Sequence, residues 1–153
     1  MAPEFTLTSS AFAAASPIPR RHTCDGENVS PHLSWTAPPR RTATLALTVE
    51  DADAAAAGGD VVHWLGWGLS PQLRELPEGV EPPFEGRNSF GNVRYDGPCD
   101  PPRQHHYVFR LHALMEPVDL PPAASIAELR EVIAVQVIAV AEIVGTYGEA
   151  PGA

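Results

Sequence analysis

The sequence lacks several features that would assign it to a functional class directly. It contains no lysine, so its ten basic residues are all arginine, and nineteen acidic residues bring the net charge to −9. Such a charge repels nucleic-acid phosphates and anionic membrane surfaces at long range. We therefore expect no nucleic-acid partner and no stable membrane association.

Long hydrophobic runs are also missing. The longest apolar stretch, IAVQVIAVAEIVG, is interrupted by Gln136 and Glu142 and is too short to cross a bilayer. The opening residues, MAPEFTLTSS, lack the basic and apolar regions of a signal peptide. Together these absences predict a cytoplasmic protein.

Cysteine is scarce, and the two that occur, Cys24 and Cys99, are too far apart in sequence to form a metal-binding pair. Reduced thiols in the core or near a site are the favoured interpretation, because a reducing cytoplasm does not preserve disulfides. A Cys24–Cys99 bridge stays open as an alternative if the two loops meet.

Sequence signatures of common catalytic sites are absent as well. There is no G-x-S-x-G nucleophile turn, no phosphate-binding G-x-x-x-x-G-K-[ST] loop and no dinucleotide fingerprint. No histidine pair has the spacing of metal ligands within one element. We expect no catalytic residues, no metal and no cofactor.

What is present indicates one globular β-rich domain over residues 1–153. The apolar fraction is 44%, and seventeen prolines with twelve glycines favour strands joined by irregular loops. Alternating or apolar patterns predict strands over Thr44–Glu50, Val61–Leu69 and Tyr107–Leu114. In the last of these, Arg110 and His112 share one side, which we expect to face solvent.

The last quarter changes character. Ser125 followed by Glu128 forms a capping-box pattern, and the apolar residues after it keep helical spacing, which predicts a helix or helix pair ending near Gly145. The alanine- and glycine-rich stretch 54–59 predicts a flexible loop. Strands followed by a C-terminal helical segment indicate a β-sandwich with helices at one end.

Histidines and carboxylates supply the candidate chemistry. Asp51 and Asp53 leave the end of a predicted strand on one face, and His63 lies in an apolar run where an unpaired imidazole is costly to bury. His105 and His106 point to opposite faces of a strand, so only one of them can enter a shared site. Two imidazoles and the Tyr107 hydroxyl would form a small anion-binding site. A hydrogen-bonded core histidine and an Asp-x-Asp turn cap are the ordinary alternatives.

These residues occur in a series of ordered motifs. CDGENVSPHLSW, VEDADA, VVHWLGW, GRNSFGNVRYDGPCDPPRQHHYVF and AEIVGTYG together resemble the phosphatidylethanolamine-binding protein family, and most closely its bacterial, Raf-kinase-inhibitor-like branch. The likeness covers about residues 7–148. It implies a mainly β fold, an antiparallel Greek-key β-sandwich with short C-terminal helices, and a small pocket for phosphate or phosphorylated head groups.

The resemblance also implies which residues form that pocket. The ligand-binding positions fall on Asp51, His63, Cys99, His105 and Tyr107, with support from Asp53, Val61, Gly97 and Pro98. In this interpretation Asp51 orients and charges His63, and backbone amides near Cys99 complete the anion's surroundings. Asp53 ties the loop by accepting hydrogen bonds from backbone amides.

Four departures from the family pattern affect the pocket wall. Alanines 52 and 55 replace two prolines, which we expect to loosen the wall. Val61 replaces an aromatic residue and changes what can stack beside the anion. Asp100 adds a negative charge that would disfavour an anion if it faced the pocket.

Three functions follow as hypotheses. The first is a non-enzymatic binding protein for a small phosphorylated anion. The second is a kinase or protease inhibitor or adaptor, acting through the loop Pro71–Phe84 with its apolar Leu76 and Val80, and a homodimer is compatible with either. The third and least favoured is a hydrolase that uses Asp51 and His63 as an acid–base pair.

Overall fold

The computed structural model describes residues 4–149 and arranges them as two β-sheets with two short helices. The strands are β1 (Leu7–Thr8), β2 (Ser16–Pro17), β3 (Leu33–Trp35), β4 (Thr44–Asp51), β5 (Val62–Leu69), β6 (Glu75–Leu76), β7 (Phe84–Glu85), β8 (His105–Leu114) and β9 (Val137–Tyr147). The helices are α1 (Ala52–Ala56) and α2 (Ile126–Gln136), and Arg20–His22 form a single 3-10 turn.

The larger sheet has the strand order β2-β9-β8-β4-β5-β7, and the smaller one has the order β1-β3-β6. Neighbouring strands run antiparallel except for β2 and β9, which are parallel, so the expectation of an entirely antiparallel fold is wrong at that edge. The mainly β architecture is confirmed. The Greek-key description stays a prediction.

Both faces of the larger sheet are covered. One buried cluster joins it to the smaller sheet, and a second joins its other face to α2 through the fully buried Leu129. The first cluster includes Leu7, Leu33, Trp35 and Leu76 from the smaller sheet and Leu47, Trp64, Phe109 and Leu111 from the larger. This double burial explains why β4 and β5 read as almost continuous apolar runs.

The predicted wet side of β8 is only partly exposed. His112 is 8% exposed, and its Nε2 lies 3.0 Å from the Thr48 hydroxyl on β4. Burial, reinforced by the nearby Arg110 charge, lowers the pKa of His112 to about 4. Arg110 is half-buried and pairs with Glu50 and Glu142 across the neighbouring strands. The expectation was wrong for His112 because the chain after β8 covers this face.

The C-terminal prediction is correct for its first half only. Ser125 and Glu128 form the capping box, and α2 begins directly after it. The helix ends at Gln136, and the residues expected to continue it to Gly145 form β9 instead. β-Branched residues dominate Val137–Tyr147, and pairing along the full length of β8 satisfies their backbone better than an isolated helix would.

The stretch over residues 54–59, expected to be a flexible loop, is helical up to Ala56, where α1 ends, and continues as a turn and irregular chain. The prediction is therefore wrong for its first half only. The Asp51 side chain accepts hydrogen bonds from the backbone amides of Asp53 and Ala54, both at 3.0 Å, and so caps the start of α1. Alanine has the highest helix propensity, so Ala52 and Ala55 suit this capped turn. The expected loosening of the pocket wall stays a prediction.

Candidate functional site

A cavity of about 170 Å³ lies at one end of the larger sheet, where β4 ends and β5 and β8 begin. Antiparallel pairing places these three ends together, with Asp51 of β4 opposite Tyr107 of β8. The lining includes all five residues predicted to bind the ligand, together with Val61. The full set is Asp51, Val61, His63, Phe90, Cys99, Asp100, Pro101, Pro102, His105 and Tyr107.

Asp51 holds His105, not His63. Asp51 Oδ2 lies 2.7 Å from His105 Nδ1, while its Oδ1 caps α1. Opposite Asp51 in the strand register is Tyr107, and His105 lies two residues earlier on the same face of β8, within reach of the carboxylate. The expectation that Asp51 orients His63 is therefore wrong, although the Asp51 charge still acts on the pKa of His63. The hydrolase hypothesis stays a prediction.

His63 is oriented by a backbone carbonyl. Its Nδ1 donates to the carbonyl oxygen of Asp96 at 2.7 Å, which turns Nε2 to the other side of the ring. Only 4% of the residue is exposed, and this burial lowers the pKa of His63, although the Asp96 carbonyl and the Asp51 charge act in the opposite direction. The imidazole is therefore neutral near pH 7, with an unprotonated Nε2.

Tyr107 lies between the two imidazoles. Its ring centroid is 5.2 Å from that of His63 and 6.4 Å from that of His105. Burial and the charges of Asp51 and Asp53 raise the pKa of Tyr107 well above its usual value. The hydroxyl thus stays protonated and can donate a hydrogen bond at any ordinary pH.

The supporting residues of the sequence prediction take different positions. Asp53 Oδ2 accepts from the backbone amide and the Nδ1 of His106, and these bonds lower the pKa of Asp53 although burial alone would raise it. His106 therefore points away from the cavity. The Gly97 amide donates to the Asn28 side chain at 2.8 Å, and the Pro98 carbonyl accepts from the Cys24 amide. Gly97 and Pro98 hold the loop without lining the cavity.

Cys24 and Cys99 are joined by a disulfide, so the favoured expectation of reduced thiols is wrong. The bridge ties the segment after the 3-10 turn to the loop that carries Asp100 and the two following prolines, and both cysteines are exposed. Sequence spacing could not reveal this contact, because 75 positions separate the two residues. Cys99 contributes a disulfide sulfur to the cavity wall and no thiol.

The loop over residues 88–96 was missed as part of the site. The buried Asn88 accepts from the backbone amides of Phe90 and Asn92 and donates to Asp96 Oδ2 at 2.7 Å. Burial alone would raise the pKa of Asp96, but hydrogen bonds from Asn92, Asn88 and Arg94 lower it. The cluster of Asn, Ser, Gly and Asp around one phenylalanine was the available sequence signal.

Asp51, Asp53 and His105 form a three-residue group whose potential ligand atoms lie within 4.8 Å of one another. These atoms are already used inside the protein. His105 Nδ1 shares a hydrogen bond with Asp51, and Asp53 is held by His106. The group is accounted for by these hydrogen bonds.

The loop proposed as a partner surface is divided between core and solvent. Leu76 is buried in β6, whereas Val80 and Phe84 are 43% and 45% exposed. Phe84 stacks on Trp67, with ring centroids 6.3 Å apart. Among residues 4–149 there is no helix with the length and apolar character needed to span a membrane.

The fold and the cavity define a small two-sheet β protein with a histidine-lined pocket at the end of its larger sheet. The sequence profile described as phosphatidylethanolamine-binding protein matches residues 8–148. The chain therefore belongs to the phosphatidylethanolamine-binding protein family.

Individual relatives agree with this assignment. A UPF0098 protein of Chlamydia pneumoniae is 39% identical over 92% of this chain and 97% of its own length. The crystal structure of a phosphatidylethanolamine-binding protein homolog, CT736 of Chlamydia trachomatis, superposes with a TM-score of 0.87 at 35% identity, covering 95% of this chain and 98% of the other. YbcL of E. coli, described as a member of the mammalian family, gives 0.88 at 29% identity, covering 97% and 100%.

Another relative bears on the cellular compartment. LppC of Mycobacterium tuberculosis, named as a candidate lipoprotein, is 38% identical over 93% of this chain and 71% of its own length. Its name does not assign the present chain to a compartment.

Proposed function

We propose that this protein is a non-enzymatic binding protein whose cavity holds a phosphate or a small phosphorylated head group. One observation carries the proposal. Two imidazoles whose Nδ1 atoms are already engaged lie near the Tyr107 ring, around a cavity of about 170 Å³ that all three residues line. Such a volume takes a small ion and a few atoms more.

The hydrogen bonds at Nδ1 fix how each imidazole can interact with an anion. Because Nδ1 keeps its hydrogen in both cases, Nε2 carries a lone pair when the ring is neutral and an N–H when it is protonated. Neutral rings present two acceptors to an anion, whereas protonated rings present two charge-assisted donors. Binding of an anion without a hydrogen of its own, such as sulfate, should therefore be accompanied by proton uptake.

The sign of the pH dependence follows. Affinity for sulfate should be greatest at acid pH and fall as pH rises through the titration of His63. Since burial lowers the pKa of His63, its contribution develops only below the ordinary histidine value of about 6.5. Sulfate is the suitable probe, because it does not titrate in this range, whereas phosphate does.

A titration of the His63 and His105 ring signals by NMR tests the proposal directly. Inorganic phosphate, sulfate and O-phosphorylethanolamine should each give saturable shifts of both rings. The double variant His63→Ala/His105→Ala should weaken phosphate binding at least about 100-fold, since two charged hydrogen bonds are lost. His106→Ala is the matched control, because that ring points away from the cavity. Unmoved rings at high ligand concentration would contradict the proposal.

The cavity and the acidic surface favour a soluble ligand over a lipid held in a bilayer. The net charge of −9 opposes contact with anionic membranes, so we retain the prediction that the protein does not associate stably with them. We also retain the prediction that the protein is not an enzyme. The Asp51 carboxylate, which the hydrolase hypothesis pairs with His63, is hydrogen-bonded to His105.

The Cys24–Cys99 disulfide is relevant to the cellular compartment in which the protein works. An exposed bridge is reduced in most cytoplasms and persists in oxidising surroundings. We therefore infer that the protein works outside a reducing cytoplasm, contrary to the location expected from the N-terminal sequence. Mass measurement of the alkylated protein isolated from cells, with and without prior reduction, tests this. Free thiols in the unreduced sample would restore the cytoplasmic assignment.

A second candidate function is protein interaction, including a Raf-kinase-inhibitor-like or protease-inhibitor role. The observation that favours it is the exposure of Val80 and Phe84 near one another in sequence on the loop Pro71–Phe84. Binding of a kinase or protease that survives His63→Ala/His105→Ala but is lost in Val80→Asp would support this candidate. A homodimer through the same surface would show as a doubled mass by light scattering.

A further inference from the structure

Phe90 is an exposed aromatic residue at the rim of the cavity. Half of its surface is exposed, and its ring centroid lies 5.1 Å from that of His63, with the two planes at 62°. Phe90 and Cys99 also line a neighbouring cavity of about 160 Å³. The ring therefore stands where the anion cavity and a second chamber adjoin.

The phenyl ring is held in this position by buried polar groups. The Phe90 amide donates to Asn88 Oδ1 at 2.9 Å, and the preceding Ser89 exchanges hydrogen bonds with the backbone of Val62. Asn88 is only 5% exposed and is itself bonded to Asp96, whose carbonyl orients His63. One buried network thus fixes both the imidazole and the exposed ring, which reduces the ordering cost of a ligand that contacts both.

Phe84 and Phe90 are both exposed, but only the position of Phe84 is explained by packing on another aromatic side chain. The Phe84 ring stacks on Trp67, which it shields, with the planes only 13° apart. The Phe90 ring instead lies at 62° to the His63 ring and stays half exposed beside the cavity. A rigid, half-exposed phenyl face at the mouth of a pocket offers a stacking surface.

The polar groups of the second chamber are already in use. Asn28 accepts from the Gly97 amide and contacts Asp96, and the Asp96 carboxylate accepts from three further side chains. What remains available to a ligand is the phenyl ring and the Cys24–Cys99 sulfurs. Sulfur and phenyl surfaces both interact favourably with aromatic rings.

We propose that Phe90 and the Cys24–Cys99 bridge form a specificity subsite for the aromatic group of a phosphate monoester. The phosphate lies between His63 and His105, and the aromatic group stacks on Phe90 at the mouth of the second chamber. This inference rests on the proposed function and adds the class of ligand to it. In this arrangement Phe90 supplies an aromatic surface beside the anion, in a site where Val61 replaces an aromatic residue of the family pattern.

Calorimetric titration with phenyl phosphate, inorganic phosphate and O-phosphorylethanolamine tests the inference. We expect wild-type protein to bind phenyl phosphate about tenfold more tightly than either other ligand. In Phe90→Ala this ratio should fall towards one, and in Phe90→Leu it should be intermediate, since leucine keeps apolar area without a ring. The titrations are made at one pH low enough that each phosphate group carries one negative charge, so that the three ligands are compared in the same ionisation state.

Phe84→Ala is the matched control, because it removes an equally exposed phenylalanine away from the cavity and should leave the ratio unchanged. Equal affinities for phenyl phosphate and inorganic phosphate in the wild type would overturn the inference while leaving the proposed function standing. An equal weakening of all three ligands in Phe90→Ala would also overturn it, since the residue would then act only on the shape of the site. If no ligand binds the wild type, the proposed function fails, and the inference fails with it.

Discussion

The two walls of the cavity are built in different ways. The strand wall, which we define as Asp51, His63, His105 and Tyr107, rises from β4, β5 and β8, and each of its side chains is largely buried. The loop wall, defined as Phe90 and residues 99–102, is exposed at Phe90, Cys99 and Asp100 and is held by a hydrogen-bonded turn and a disulfide. Under the proposed function, the strand wall selects the anionic group that is bound, and the loop wall selects the group attached to it.

Removing the disulfide should have the largest effect and should act on the loop wall. The double variant Cys24→Ser/Cys99→Ser opens a loop of 75 residues in the unfolded chain, which corresponds to a loss of about 4 kcal/mol in the free energy of unfolding. Urea denaturation followed by tryptophan fluorescence measures this. Phosphate affinity should fall in the same variant. A loss of stability with unchanged phosphate affinity would show that the bridge does not shape the site.

Gly97→Ala tests the point where the two walls meet. A Cβ at this position would lie 2.0 Å from the His22 carbonyl oxygen, so the backbone must shift. We expect the free energy of unfolding to fall by about 2 to 3 kcal/mol in urea denaturation. Gly59→Ala is the milder comparison, since its Cβ would lie 3.1 Å from the Ala54 carbonyl oxygen and needs a shift of only a few tenths of an ångström; it should remain within about 1 kcal/mol of wild type. Equal stabilities for both variants would mean that the base of the loop wall is not tightly packed.

Asp51→Asn should alter the pH dependence set by the strand wall. An asparagine amide would donate to His105 Nδ1, so that the neutral ring carries its hydrogen on Nε2 and faces the cavity as a donor. Sulfate affinity at pH 8 should then rise about tenfold, since a nearby negative charge is also removed, and its decline with pH should flatten.

Asp53→Asn is the matched control for this change. It removes the same charge nearby but leaves the bond between Asp51 and His105 intact, so the pH profile should keep its wild-type slope. Two variants with identical profiles would show that charge alone, and not the position of the imidazole hydrogen, controls affinity.

Asp100→Asn should have the smallest effect. Asp100 is exposed on the loop wall and lines the cavity, so its charge opposes an anion through solvent. Removing the charge should raise sulfate affinity about two- to threefold at low salt and less at high salt. Asn tolerates the positive φ of 43° at this position. Asp119→Asn changes the net charge equally beyond the far end of β8 and should leave the affinity unchanged.

The strand wall could largely be predicted from the sequence, because its residues lie in regular elements. Alternating and apolar patterns located β4, β5 and β8, and the period of two residues correctly separated His105 from His106. The partner of Asp51 could not be found in this way. It depends on the register between β4 and β8, which local sequence does not specify.

The loop wall was less accessible to prediction. Its disulfide joins residues distant in sequence, and Phe90 is placed by side chains from several loops. The prediction of a helix over the residues of β9 was wrong for a different reason. The valines, isoleucines and alanines of this segment fit a helical spacing as well as an alternating one, and pairing with the edge of β8 favours the strand. The run of β-branched residues after Gln136 was the signal that favoured a strand.

The position of β9 has a consequence for how the chain folds. This strand is the last element within residues 4–149, yet it lies inside the larger sheet, and residue 145 pairs with residue 16 on one side while Val137–Tyr147 pairs with β8 on the other. The edge of β8 therefore stays unpaired until Val137–Tyr147 is available. Closure of such distant pairs is slow. We therefore expect the edge of β8 to stay open to unwanted pairing with other chains until β9 lies beside it.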